Sequence, residues 1–178
     1  MTASSTPGLA RFNAAGERAA RSALHEICAS TAWADAVLAG RPYRDAEELL
    51  TASDAAVAGL GAADLAEAMA AHPPIGRPVP GDAVSAREQR GMAGAPERLR
   101  AAMYELNLAY QEKFGHVFLI CATGLTAEQM YDAIRNRIDN PPEREHEIVR
   151  GELGRINRIR LAGLAVRPVP AGEGAART

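Results

Sequence analysis

Leu99, Met103, Leu106 and Tyr110 recur at spacings of four, three and four, and Ile148, Val149, Leu153, Ile156 and Ile159 repeat a similar rhythm further along. Both series put apolar side chains on one face of a helix, because 3.6 residues make a turn. The second series continues to Leu164, so the chain should carry two long amphipathic helices, over about 96–114 and 143–164. Aromatic residues are only 4% of the chain, while apolar residues are 47%. The core must therefore be built mainly from Ala, Leu, Ile and Val. Ala favours helix because it loses no side-chain entropy there. Val and Ile are too scattered for a large sheet. The expected fold class is all-α.

Break signals divide the rest. A first helical region is expected over 14–29 and a short one over 33–39, ended by Gly40. Asp45 opens a helix that Gly59 to Gly61 interrupts. The next, Ala62 to Ala71, must stop at His72-Pro73-Pro74, because a residue before proline avoids the α region. Gly76, Pro78 and Pro80-Gly81 then make 72–84 an irregular loop. A short helix should follow from about Ala86. Val117 to Cys121 is too short an apolar run for a helix and reads as a buried extended connection. Thr126 followed by Gln129 fits a capping box for a helix to about Ile138. No internal repeat or linker divides the chain. One domain over 9–166 is expected, with flexible tails at 1–8 and 167–178.

Charge and cysteine content narrow the function. A net charge of -2 gives no electrostatic reason to expect nucleic acid or an acidic membrane surface. No apolar run approaches the roughly 18 residues of a membrane span, and 1–8 lacks the pattern of a signal peptide. Cys28 and Cys121 form no CxxC pair, which suits a reduced, cytoplasmic protein. The four histidines, His25, His72, His116 and His146, show no metal-ligand spacing. There is no glycine-rich phosphate loop, so neither a metal nor a dinucleotide cofactor is expected.

Two places carry candidate chemistry. His72 is an imidazole locked beside two prolines; on its chemistry alone such a residue is more often a helix C-terminal cap. Ser85-Ala86-Arg87-Glu88-Gln89 has the capping-box pattern, which needs no function. Yet a His and a carboxylate bracketing one loop can also converge on a small ligand and exchange a proton with it. Arg158 and Arg160, near the end of the last helix, cannot be distinguished as site residues by spacing. Asn107, one position past Leu106, is expected to be half-buried and hydrogen-bonded.

Five segments, taken in order, resemble one family. They are Ala70-Ala71-His72-Pro73-Pro74-Ile75-Gly76, Ser85-Ala86-Arg87-Glu88-Gln89, Tyr110-Gln111-Glu112-Lys113-Phe114-Gly115, Val117-Phe118-Leu119-Ile120-Cys121-Ala122-Thr123-Gly124 and Ile156-Asn157-Arg158-Ile159-Arg160-Leu161. The chain resembles the OHCU decarboxylases over roughly 14–164; their substrate is 2-oxo-4-hydroxy-4-carboxy-5-ureidoimidazoline. The resemblance implies an all-α homodimer that works without a cofactor and yields (S)-allantoin and CO2 in urate breakdown. It places the catalytic His and Glu on His72 and Glu88, and the arginine on Arg160, with Arg158 as the other choice. It also implies substrate binding at Pro73, Ser85 and Gln89, and a pocket lined by backbone groups of the run Phe118, Leu119, Ile120, Cys121 and Ala122. The family usually has Phe where this chain has His116, which is either a harmless swap at a pocket rim or a change of local polarity. Two other readings of the same residues are a non-catalytic binding module and a metal-dependent ureide hydrolase.

Overall fold

The computed structural model describes residues 6–166. Among them are nine α-helices and no strand: α1 (Pro7–Ala14), α2 (Glu17–His25), α3 (Thr31–Ala39), α4 (Ala46–Ala58), α5 (Ala62–Ala70), α6 (Ala83–Glu88), α7 (Glu97–Phe114), α8 (Ala127–Arg137) and α9 (Pro142–Val166). A single 3-10 turn, Arg90–Met92, links α6 to α7. The all-α expectation holds. No single helix among the described residues is long and apolar enough to cross a membrane.

Local sequence sets most helix ends. Asp45 caps α4 by accepting from the Glu48 amide at 2.9 Å. Thr126 and Gln129 form the expected reciprocal box, with bonds of 3.2 and 2.9 Å. α7 stops at Gly115, whose φ of 76° is left-handed and favours glycine. Gly40 ends α3 for a different reason. Its φ is ordinary, and a Cβ there would strike the Tyr43 hydroxyl.

Two expectations change at the N-terminus. The region 14–29 is not one helix, because Ala15 is extended (ψ 140°) and Gly16 caps a separate α2. Residues 7 and 8 are not tail. Pro7 starts α1 at a position where its missing N–H costs nothing, and Gly8 lies against the Leu164 and Ala165 carbonyls of α9. Thr6 donates its hydroxyl to the same Ala165 carbonyl. The expected tails at 1–5 and 167–178 lie outside the described residues.

The buried residues fall into two cores. The first joins α1 to α5 with α9, around Trp33, Leu24, Leu153 and Leu161. Trp33 is wholly buried there and donates Nε1–H to the Ser53 hydroxyl at 3.2 Å. The second joins α7 and α8 around Met103, Tyr110, Met130 and Ile134. The extended run 117–122 threads between them. Val117, Leu119 and Cys121 pack on the first core, while Phe118, Ile120 and Ala122 pack on the second. That alternation is the period of two expected of extended chain. Along α9 the buried stripe passes through Ile156, Leu161 and Ala165, and Ile159, expected on it, is 44% exposed.

Candidate active site

α5 ends against a tight loop. The His72 amide still reaches back to the Met69 carbonyl at 3.0 Å, and Pro73-Pro74 then stops the helix. A turn closes from the Arg77 amide to the Pro74 carbonyl at 3.1 Å, with Gly76 at φ 84°. Two buried side-chain amides hold this loop. Gln89 accepts from the Gly76 amide at 2.9 Å and donates to the Pro74 carbonyl at 3.4 Å. Asn107 donates to the Ile75 carbonyl at 3.0 Å, and its burial is greater than the half expected. Gln89 is thus engaged with the loop that carries His72.

Facing this loop is α6. Asp82 is its N-cap, accepting from the amides of Val84 and Ser85 at 3.1 and 3.0 Å and from the Ser85 hydroxyl at 2.5 Å. The Ser85–Glu88 capping box therefore does not form. Asp82 occupies the cap, which places buried Ser85 within the helix and leaves Glu88 as its last residue. Glu88 turns instead to α9. Arg160 donates from Nε and Nη2 to the two oxygens of Glu88 at 2.7 and 2.8 Å, and from Nη1 to the Ile27 carbonyl at 2.8 Å. The two side chains are only 14% and 16% exposed. Arg158, two residues away, projects from the other side of α9. It pairs with Asp54 and Glu47 of α4 at 2.5 and 3.2 Å, far from Glu88.

His72, Pro73, Ser85, Glu88, Gln89, Phe118, Leu119, Ile120 and Ala122 line one narrow cleft. Nine of the residues expected at the site are thus brought together. Arg160 reaches its edge through Glu88 and lines the two cavities that adjoin it. Cys121 does not line the cleft; it packs against the first core, and its amide is turned to Glu152. Ile75, Thr123 and Ile156 complete the lining and were not anticipated. Ile156 sits four residues before Arg160, one turn along α9, which is the signal that could have found it. His116 also departs from expectation. It lies outside the cleft, stacked 6.0 Å from Phe114 and 5.8 Å from His146, with Nδ1 3.0 Å from the Val117 carbonyl.

Burial and charge act together on His72. Loss of solvent is the largest effect, and the positive charge of Arg160 adds to it. Glu88 and Asp82 pull the other way without compensating, so the imidazole pKa is lowered to about 4. His72 is therefore neutral near pH 7, with one ring nitrogen free to accept a proton. Asp82 stays ionised below the usual carboxylate range, chiefly through its bonds from Ser85. The cleft thus sets a neutral base beside a carboxylate already neutralised by an arginine. Among the described residues no three His, Cys, Asp or Glu side chains are grouped as metal ligands.

The OHCU decarboxylase family model matches residues 13–162. The chain belongs to the OHCU decarboxylase family. Among curated relatives, this OHCU decarboxylase family member is 30% identical over 145 residues to the uric acid degradation bifunctional protein TTL of Arabidopsis thaliana. That match covers 77% of the chain but 44% of the plant protein, so the chain spans less than half of that relative. It is 28% identical over 141 residues to a 2-oxo-4-hydroxy-4-carboxy-5-ureidoimidazoline decarboxylase of Amia calva, covering 76% of the chain and 81% of the relative. One of Haloferax volcanii is 26% identical over 145 residues, covering 79% and 85%. Among solved structures, an OHCU decarboxylase crystallised in the presence of (S)-allantoin superposes with a TM-score of 0.74 at 26% identity, over 86% of this chain and 100% of that one. An (S)-allantoin synthase shares the fold, with a TM-score of 0.68 at 19% identity, over 88% of this chain and 53% of that one.

Proposed function

We propose that the chain decarboxylates 2-oxo-4-hydroxy-4-carboxy-5-ureidoimidazoline to (S)-allantoin and CO2 in urate breakdown, as a cytoplasmic homodimer that needs no cofactor. The observation that carries this reading is the meeting of neutral His72 with the Glu88–Arg160 pair at one cleft, in a chain of this family. The substrate contains its own electron sink. C4 bears the carboxylate and a hydroxyl, and its neighbour C5 belongs to a C=N system. When the C4–carboxylate bond breaks, its electron pair forms C4=C5 and the C=N pair moves to nitrogen. The hydroxyl proton then leaves as C4 becomes a carbonyl, and a proton delivered to one face of C5 creates the stereocentre. The nitrogen that received the C=N pair takes a proton from solvent, so that, counted from the carboxylate form, one proton is taken up and CO2 is released.

Each step has a candidate group. Neutral His72 accepts the C4 hydroxyl proton. The imidazolium so formed then passes that proton on toward C5. Glu88 orients the same hydroxyl. Because Arg160 already balances its charge, an anionic substrate meets no bare carboxylate there. Arg160 offers the edge of its guanidinium to the substrate's anionic or carbonyl side. Pro73, Phe118, Leu119, Ile120 and Ala122 form the walls, and Ser85 and Gln89 line the same cleft. Neither a binding module nor a metal-dependent hydrolase is favoured by the family match.

The test is to generate the substrate in situ from urate and follow it by circular dichroism. Added protein should speed its loss and the growth of the (S)-allantoin signal. Unchanged decay, or a racemic product, would overturn the proposal.

A further inference from the structure

The run 117–122 forms no sheet, so its backbone polar groups need other partners. Two charged side chains supply them on either side of Ile120. Arg137, the last residue of α8, donates Nη1–H to the Leu119 carbonyl at 2.9 Å. Glu152 of α9 accepts from the Cys121 amide at 2.8 Å. A trans peptide unit points its C=O and N–H in opposite directions. Fixing the Leu119 carbonyl toward Arg137 therefore fixes the Ile120 N–H away from it. Fixing the Cys121 N–H toward Glu152 likewise sets the Ile120 carbonyl. Ile120 lines the cleft, and neither its N–H nor its carbonyl meets a protein partner among the described residues.

Arg137 is itself held rigidly. It donates from Nε and Nη2 to one oxygen of Glu145 at 2.8 and 2.6 Å, and its guanidinium lies 4.5 Å over the Phe118 ring. The Tyr110 hydroxyl donates to the same Glu145 oxygen, and Asn140 donates to the other at 2.8 Å. Glu145 is completely buried and Arg137 is 8% exposed. A buried ion pair adds little net stability, since desolvation offsets much of its attraction, and apolar side chains of similar volume often serve as well. What this pair adds is direction, a planar donor fork aimed at one carbonyl.

We propose that Arg137, braced by Glu145, is a positioning residue for the decarboxylation, setting the Ile120 peptide groups as a donor and an acceptor for an amide edge of the substrate. This rests on the function proposed above. The decisive variant is the double replacement Arg137→Met with Glu145→Leu, which removes the pair without leaving a buried charge alone. It should fold but melt lower than the wild type, because the Tyr110 hydroxyl and the Leu119 carbonyl lose their partners, and it should raise KM and lower kcat/KM by about 10- to 100-fold, the effect of misplacing a binding group. Leu9→Ala, a core cavity far from the network, supplies a destabilised control whose kcat/KM at low temperature should match the wild type. Wild-type kcat/KM in the folded double variant would overturn the assignment. Should the double variant not fold, Arg137→Lys is measured by the same readout, because one ammonium lacks the planar fork that serves Glu145 and Leu119 together. Unaltered KM and kcat/KM would again defeat the proposal. Wild-type protein that does not act on the substrate refutes the function instead. The clamp is then judged by amide exchange over 117–122 in the free protein, which Arg137→Lys should accelerate and which an idle clamp would leave unchanged.

Discussion

Glu88 and Arg160, 72 positions apart in the chain, meet side-on through two parallel hydrogen bonds at the edge of the cleft. A third donor of the same guanidinium is tied to the Ile27 carbonyl at 2.8 Å. The pair thus ties together the end of α6, the last turns of α9 and the segment after α2. Its geometry fixes where the Glu88 carboxylate stands relative to His72, on the opposite side of the loop.

Glu88→Gln keeps the shape of the side chain and removes its charge. If Glu88 orients the reacting hydroxyl and helps manage its proton, kcat should fall by roughly two to four orders of magnitude. The variant should remain folded, because Gln still offers Arg160 one acceptor. Turnover at the wild-type rate, in protein with native circular dichroism, would remove Glu88 from the mechanism.

The two arginines near the end of α9 should separate cleanly. Arg160→Lys loses the fork that grips Glu88 and should lower kcat/KM by about tenfold or more. Arg158 pairs with exposed acids on α4, and such surface pairs contribute about 0–1 kcal/mol. Arg158→Lys should therefore leave kcat/KM unchanged and barely move the melting temperature. Equal losses in the two variants would contradict the geometry.

What could be read from the sequence was what depends on neighbours in the chain. The stripe of α7, the Asp45 cap and the Thr126–Gln129 box all act within one or two helical turns, and each is found where the spacing puts it. Competition and distance account for the rest. Ser85 and Glu88 satisfy the capping-box pattern, yet Asp82, three residues earlier, takes the cap. α1 begins in a segment whose composition resembles a tail; its order comes from α9, through the Thr6 bond and the close approach of Gly8. Ile159 fits the local rhythm, but the buried stripe of a long helix drifts around its axis and passes to Leu161. Arg137 and Glu145 lie on two helices separated by a proline break, so no single periodicity joins them. The motifs of the cleft were legible by resemblance, whereas its bracing by Asn107, Arg137 and Glu152 required the fold.

Gln89 should act on the loop that carries His72. Gln89→Ala leaves the Gly76 amide and the Pro74 carbonyl without their partner, at a cost of about 1–3 kcal/mol. The melting temperature and kcat should both fall. Gln89→Glu retains an acceptor for Gly76 but no donor for Pro74, and should lie between alanine and the wild type in thermal melts. An alanine variant as stable as the wild type would mean that the clamp contributes nothing.

The burial of His72 predicts two pH effects. Unfolded chain takes up a proton at this residue near pH 6.5, whereas the folded protein does so only at about pH 4. Between those values the unfolded state binds more protons, so the folded state loses stability as the pH falls through this window. The contribution is at most about 1.4 kcal/mol per pH unit, and His72→Asn should remove that part of the slope in urea titrations. Activity should follow the folded value, since the reaction needs the neutral ring. The acid limb of kcat/KM is expected near pH 4, and Arg160→Gln should move it toward neutrality by deleting a charge that opposes protonation. A wild-type limb centred near pH 6.5 would show that His72 titrates as if in water, and the neutral base would have to be sought elsewhere.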